Sequence, residues 1–219
     1  MRSNHLLRAG GVVLAATLCL YAQETRPNEA QGLPPRAAPT DYQYQAKIGD
    51  VTIAGEFDGH SVPTEEQTLT TEDFIVVEIG LFGKPGARIE ISRDDFSLRV
   101  NGKKTPLASQ SYVVVASSLR DPTWVSPEAE KAKEQSKTSI GGGGGGQESS
   151  NTPPVIHIPI EMQRSMTQHT QKAALPLGDR ALPQAGLLFF QYRGKEKGIN
   201  SLELIYSGAA GKGTLTLQR

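Results

Sequence analysis

The feature that most constrains this chain is a hydrophobic period of two, which recurs on both sides of a glycine tract. Successive side chains of a strand point to opposite faces, so apolar residues two apart mark a half-buried strand. In Val51–Phe57, the residues Val51, Ile53 and Phe57 share one face. In 88–92, Ile89 and Ile91 do so, and in Phe96–Val100, Phe96, Leu98 and Val100. In 201–206, Leu202, Leu204 and Tyr206 share one face, with Ile205 on the other, and Leu215 and Leu217 alternate with polar residues in 214–218. Two runs are almost continuously apolar, Phe74–Phe82 (FIVVEIGLF) and 186–192 (GLLFFQY). Such runs suit strands buried on both faces, and both are expected to be central.

Turn residues complete the pattern. Asn101-Gly102 directly follows Phe96–Val100 and tolerates positive φ, so it predicts a hairpin with a return strand near 103–107. The run 112–116 (YVVVA) reads as a further strand, as does 155–160 (VIHIPI). The loop 207–213 joins the last two strands into a hairpin. Residues 161–174 have helix-forming composition, with Met162 and Met166 four apart, and predict one surface helix ended by Pro176. Residues 117–153 break the alternation. Ser126-Pro127-Glu128 starts a short helix over 128–137, and Gly141–Gly146 is a flexible linker. No Gly-Lys-Ser/Thr follows those six glycines, so they are not a phosphate loop.

The amino terminus has the three parts of a cleavable secretion signal over residues 1–22: basic Arg2 and Arg8, a short apolar run Val12–Leu20, and the small Ala22. Residues 23–41, rich in proline and poor in large apolar side chains, predict a disordered tether. Cys19 is the only cysteine and lies within the signal, with Leu18 before it in place of the small residue a lipoprotein signal needs. The mature chain then has no thiol and no disulfide, and its stability rests on core burial. It carries 21 basic against 23 acidic residues, a net charge of −2. That balance gives no general electrostatic reason to bind nucleic acid or an anionic membrane. The longest apolar runs are too short for a membrane-spanning helix.

These strands, with the DDFSLRVNGKK hairpin, GLLFFQYRGK, and then SLELIYSG and GKGTLTLQ, resemble the immunoglobulin-like domains of exported bacterial proteins of unknown function. The resemblance covers roughly 45–116 and 155–219. It implies an extracytoplasmic setting and carries over no catalytic residues. The expected fold is all-β: one antiparallel immunoglobulin-like sandwich over 42–219, with one surface helix, long disordered segments and a flexible insertion at 117–153.

No segment matches a catalytic or cofactor motif, and no cofactor is expected. Ser61 and Ser207 lack the G-x-S-x-G turn of a serine nucleophile. His60, beside Asp58 and near Glu65 and Glu66, is the histidine best placed for a metal. Asp94-Asp95, with Glu72-Asp73, could line one end of the fold and offer carboxylate oxygens to calcium. The plainer reading of these residues is solvated turns and Asp-initiated turns. His157 and His169 fall on a strand and on the polar side of the helix. The turn Arg193-Gly194-Lys195-Glu196-Lys197-Gly198 could meet an anionic glycan or head group. Trp124, alone on a polar excursion, either staples it to the fold or contacts a partner. The sequence thus points to an exported, non-enzymatic interaction or structural module of the periplasm, envelope or medium. Its expected partner is an envelope or extracellular protein or glycan. The alternative is a metal-assisted hydrolase or an accessory domain of a glycan-active enzyme, which requires His60, His157 and carboxylates to converge.

Overall fold

The computed structural model describes residues 29–125 and 158–217. In chain order the strands and helices are β1 (Tyr44–Ile48), β2 (Val51–Gly59), β3 (Ser61–Pro63), β4 (Thr68–Thr71), β5 (Phe74–Phe82), β6 (Arg88–Ile91), β7 (Phe96–Val100), β8 (Leu107–Gln110), α1 (Tyr112–Val115), β9 (Leu119–Arg120), α2 (Ile160–Ala173), β10 (Gly178–Ala181), β11 (Gln184–Gln191), β12 (Leu202–Gly208) and β13 (Gly211–Leu217).

The chain is all-β in class and its strand pairings are antiparallel. Among the described residues, eight strands form one continuous sheet in the order β1-β2-β5-β11-β8-β7-β12-β13. The sheet curls until its two edges approach. Ile48 at the end of β1 lies so close to Gly213 of β13 that a Cβ there would overlap its side chain. The architecture is therefore nearly a barrel formed by one rolled sheet, where the sequence suggested two sheets face to face. Alternation sets which side chains turn inward, but it is the same for a sandwich and a barrel. Only the long-range pairings distinguish them.

β5 and β11 sit side by side at the centre, paired from Gln184 opposite Leu81 to Gln191 opposite Phe74. They come from opposite sides of the glycine tract. Their inward residues, among them Ile75, Val77, Leu188 and Phe190, join Ile53, Leu98, Leu204 and Leu215 in the barrel interior. Their outward residues Phe74, Val76, Leu187 and Phe189 pack with Val62, Leu69, Val115, Leu119 and Met166. That second layer consists of the small sheet β3-β4-β9 and the helices. Burial on both faces explains the unbroken apolar runs. Full burial contributes about 1.5–3 kcal/mol for each large side chain.

α2 occupies the span expected for the helix, but it is more than a surface element. Met166, Thr170 and Ala173 are buried, so a thin apolar stripe is enough to seal one patch of sheet. Its polar side reaches Glu66 in the β3–β4 turn. His169 Nδ1 lies 2.8 Å and Lys172 Nζ 3.4 Å from the Glu66 carboxylate. His169, then Lys172, holds that carboxyl below its ordinary range.

Several local expectations need correction. The run 112–116 is not a strand: residues 112–115 form the helical turn α1, and Ala116 begins a 3-10 turn. Ser111 Oγ accepts from the Val113 N–H and caps α1. Val113 and Val114 remain 63% and 52% exposed, so a capped turn that buries Val115 alone outweighs β propensity. Asn101 and Gly102 do adopt positive φ, at 51° and 65°. The return strand, however, is Leu107–Gln110 rather than 103–107, with Leu107 opposite Leu98. Pro106 cannot donate to a ladder and delays pairing. The last hairpin is tighter than expected, pairing as far as Gly208 opposite Gly211. The short strands β3, β4, β9 and β10 carry too few apolar residues to be read from alternation. At 155–160, Pro159 caps α2 and Ile160 begins it. Residues 155–157, the expected helix at 128–137 and the glycine tract lie outside the described residues, as do residues 1–22.

The segment expected as a tether is partly a strap. Residues 29–42 run along the outside of the sheet. The Leu33 N–H donates to Ala185 O at 3.0 Å, and Tyr42 is buried. Gly80 on β5 makes room for it, since a Cβ there would stand 2.8 Å from the Tyr42 ring. Sequence composition missed this because the strap is held by backbone pairing, one aromatic ring and one arginine rather than by an apolar pattern.

Candidate functional site

The register of the sheet sorts the sequence candidates by position. Phe74, Gln191, Gly59 and Val100 share one end of the barrel, and Phe82, Gln184 and Phe96 the other. His60 and the 193–198 turn fall at the first end. Asp94 and Asp95 fall at the second, in the short turn before β7.

His60 follows β2 directly after a bulge between Phe57 and Gly59. Gly59 adopts φ 65° there, and the bulge turns the chain towards β11's far loop. His60 Nδ1 lies 2.6 Å from Phe74 O, and Nε2 3.1 Å from Gly194 O. Both partners are acceptors, so a neutral imidazole donates to only one of them and the doubly protonated ring to both. The His60 backbone N–H donates to Glu196 Oε1 at 2.8 Å. Arg193 Nε donates to Asp73 Oδ1 at 2.9 Å. The residues 193–198 are thereby fastened to β2 and to the start of β5. They wall an open cleft of about 610 Å³ that includes His60, Thr71, Glu72, Arg193, Lys195 and Lys197. The sequence proposed His60 and the basic turn for separate roles, and the fold brings them together. Lys195 and Lys197 are exposed, and among the described residues neither makes an ion pair.

The four metal candidates do not converge. Asp95 Oδ2 accepts from the Ser92 N–H at 3.0 Å, and Ser92 Oγ from the Asp94 N–H at 3.3 Å, so this pair caps its own turn. Asp58 lies on the outer face of β2. Among the described residues no group of three or more His, Cys, Asp or Glu side chains is placed to hold a metal ion. With both His60 nitrogens turned to backbone carbonyls, the hydrolase arrangement lacks convergent side chains there. His157 lies outside the described residues. Trp124 is partly buried in a turn, its backbone N–H donating to Asp121 O at 3.2 Å.

Two arrangements escaped the sequence reading. On the outer face of the sheet, Glu56 of β2 stands opposite Glu78 of β5. Arg36 of the strap reaches Glu56 at 2.7 Å and Glu78 at 3.1 Å, and its guanidinium lies 4.3 Å from the centre of the Tyr42 ring. Asp58 sits beside them. Burial first, and then the Glu78 and Glu56 charges, push its carboxyl up to about 7. The only sequence signal is the i, i+2 spacing of Glu56 and Asp58, which places both on one face. The other arrangement is a crevice between β8, β11 and the segment after α2, whose wall includes Ser109, Arg93 and Arg180. These residues are far apart in sequence, and no motif joins them.

The class these features define is an all-β chain with a rolled antiparallel sheet, a buttressed outer face and an anchored basic loop at one end. No protein-family model matches the chain, and no curated protein or solved structure shows significant similarity to it. Among the described residues no helix is long and apolar enough to cross a membrane.

Proposed function

We propose that this chain is an exported, non-enzymatic interaction module of the bacterial envelope, and that the 193–198 turn is the surface it offers to an anionic partner. One observation carries the reading. Three contacts to the scaffold fix the turn, through His60, Glu196 and Arg193, yet Lys195 and Lys197 project from it exposed and without ion pairs among the described residues. A loop held rigid while its charges stay free loses little entropy on binding. Loops on a rigid scaffold are where recognition usually sits. Export rests on the three-part pattern of residues 1–22. The kinship with immunoglobulin-like domains of exported proteins belongs to the same proposal. It is supported by the segments 94–104, 186–195 and 201–217, which fold as β7 with its turn, β11, and the closing hairpin.

Two experiments test this. Residues 1–22 fused to a leaderless periplasmic reporter should direct its export, and a reporter left in the cytoplasm refutes that part. The chain from Gln23 onward, immobilised, should retain a component of envelope extract that K195E/K197E does not. Equal retention by both proteins would remove the basic turn from the reading. Protease treatment of the extract beforehand separates an acidic protein from a glycan.

A further inference from the structure

The crevice beside β8 is independent of the basic turn. β8 pairs with β11 only where Ser109 and Gln110 face Phe190 and Phe189. Two residues further along β11, the backbone of the segment after α2 takes over this edge, with the Leu175 N–H donating to Leu187 O at 3.1 Å. Between these two neighbours the sheet parts, leaving a cavity of about 200 Å³. Leu175, Leu187 and Phe189 give it an apolar wall.

Its polar groups are unusual for a packing defect. Ser109 is buried, and its Oγ has no hydrogen-bond partner among the described residues. Native structures rarely leave such a group unmatched. Arg93 is half-buried, and its guanidinium has no hydrogen bond or ion pair among the described residues. Arg180 is already engaged, with Nε donating to Leu177 O at 2.8 Å and Nη2 lying 3.5 Å from Glu29 Oε2. The chain therefore already sets one of its own carboxylates at this rim, against one arginine, and leaves the second arginine open.

We propose that this crevice binds a small carboxylic acid with a short apolar chain. Arg93 takes the carboxylate through its planar fork, which matches two carboxylate oxygens. The chain lies on Leu175, Leu187 and Phe189. The volume is below the range of about 300–1,000 Å³ of pockets for drug-sized ligands, so the ligand is small. The apolar wall requires a hydrocarbon body and disfavours a bare inorganic anion.

The test titrates the chain from Gln23 onward, labelled for amide NMR, with hexanoate, 1-hexanol and inorganic phosphate. Hexanoate should give saturable shifts confined to 92–94, 109–112, 174–177 and 187–189. 1-Hexanol should bind at least about tenfold more weakly, as expected when a charge-assisted pair is lost. R93Q should weaken hexanoate by a similar factor while amides outside the crevice keep their positions. Should R93Q disturb the fold, R93K keeps the charge without the fork and must still weaken binding several-fold. Four results each overturn the proposal: no saturable shift up to about 10 mM hexanoate, hexanol binding as tightly as hexanoate, phosphate matching hexanoate, or unchanged affinity in the folded arginine variant.

Discussion

Glu56 and Glu78 face each other directly across β2 and β5. Like charges at opposed positions repel, and the Glu78 side chain is only 12% exposed, so water screens the pair poorly. Arg36 offsets this by binding both, at 2.7 and 3.1 Å, and in doing so it ties the strap to the sheet.

Replacing Arg36 should therefore cost more than a surface ion pair, whose usual worth is about 0–1 kcal/mol. Arg36→Met leaves two unneutralised carboxylates and should destabilise the fold by about 2–3 kcal/mol. Adding Glu78→Gln to that variant should restore part of the loss. Urea denaturation of both proteins checks this, and a double variant no more stable than Arg36→Met would show that the repulsion is not the cause.

Asp58 makes stability fall with rising pH. Its folded carboxyl titrates at about 7, raised from its ordinary value of 3.8. Between those values the folded state holds a proton that the unfolded state lacks, so stability declines as pH rises through this window. Above about pH 7 the penalty is complete, at most about 4 kcal/mol and smaller with solvent relaxation. Asp58→Asn should flatten the pH dependence between about pH 4 and 7 and make the protein more stable than wild type at pH 8. Denaturation midpoints measured across that range decide it, and an unchanged slope would remove Asp58 as its source.

His60 acts as a clamp between β5 and the basic turn. His60→Ala deletes both ring contacts and should cost about 1–3 kcal/mol. It should also speed amide exchange in 193–199 more than in β12 or β13. Uniform acceleration across the sheet would mean that the histidine merely fills space.

α2 should behave as core. Met166 is 1% exposed and packs on the outer side of β5 and β11 with Phe74 and Phe189, so Met166→Ala should cost about 2–5 kcal/mol. Met162, only partly buried on the same helix, should cost clearly less when truncated. Thermal denaturation of the two variants provides the comparison, and equal losses would contradict the packing.

Alternation located β7 and the closing hairpin, and unbroken apolar runs located β5 and β11, because burial on one or both faces is written into the identity of neighbouring residues. The Asn101-Gly102 turn was legible for a similar reason: its positive φ is a local requirement. The strap and the turn at 112–115 were not legible, since a single cap or a single arginine contact reverses what composition suggests. The basic turn could be named from sequence, but its attachment to His60 could not.

Sequence by itself determined the strand class, the central position of 74–82 and 186–191, and which side chains face inward. These follow from the two-residue pleat and the cost of exposing apolar surface. Tertiary structure alone decided that one sheet rolls nearly closed, that Arg36 meets Glu56 and Glu78, that His60 meets Gly194, and that Ser109, Arg93 and Arg180 share a crevice. Those pairs are separated by up to 134 residues in the chain, and contact at that range depends on strand order and register, which no local pattern encodes.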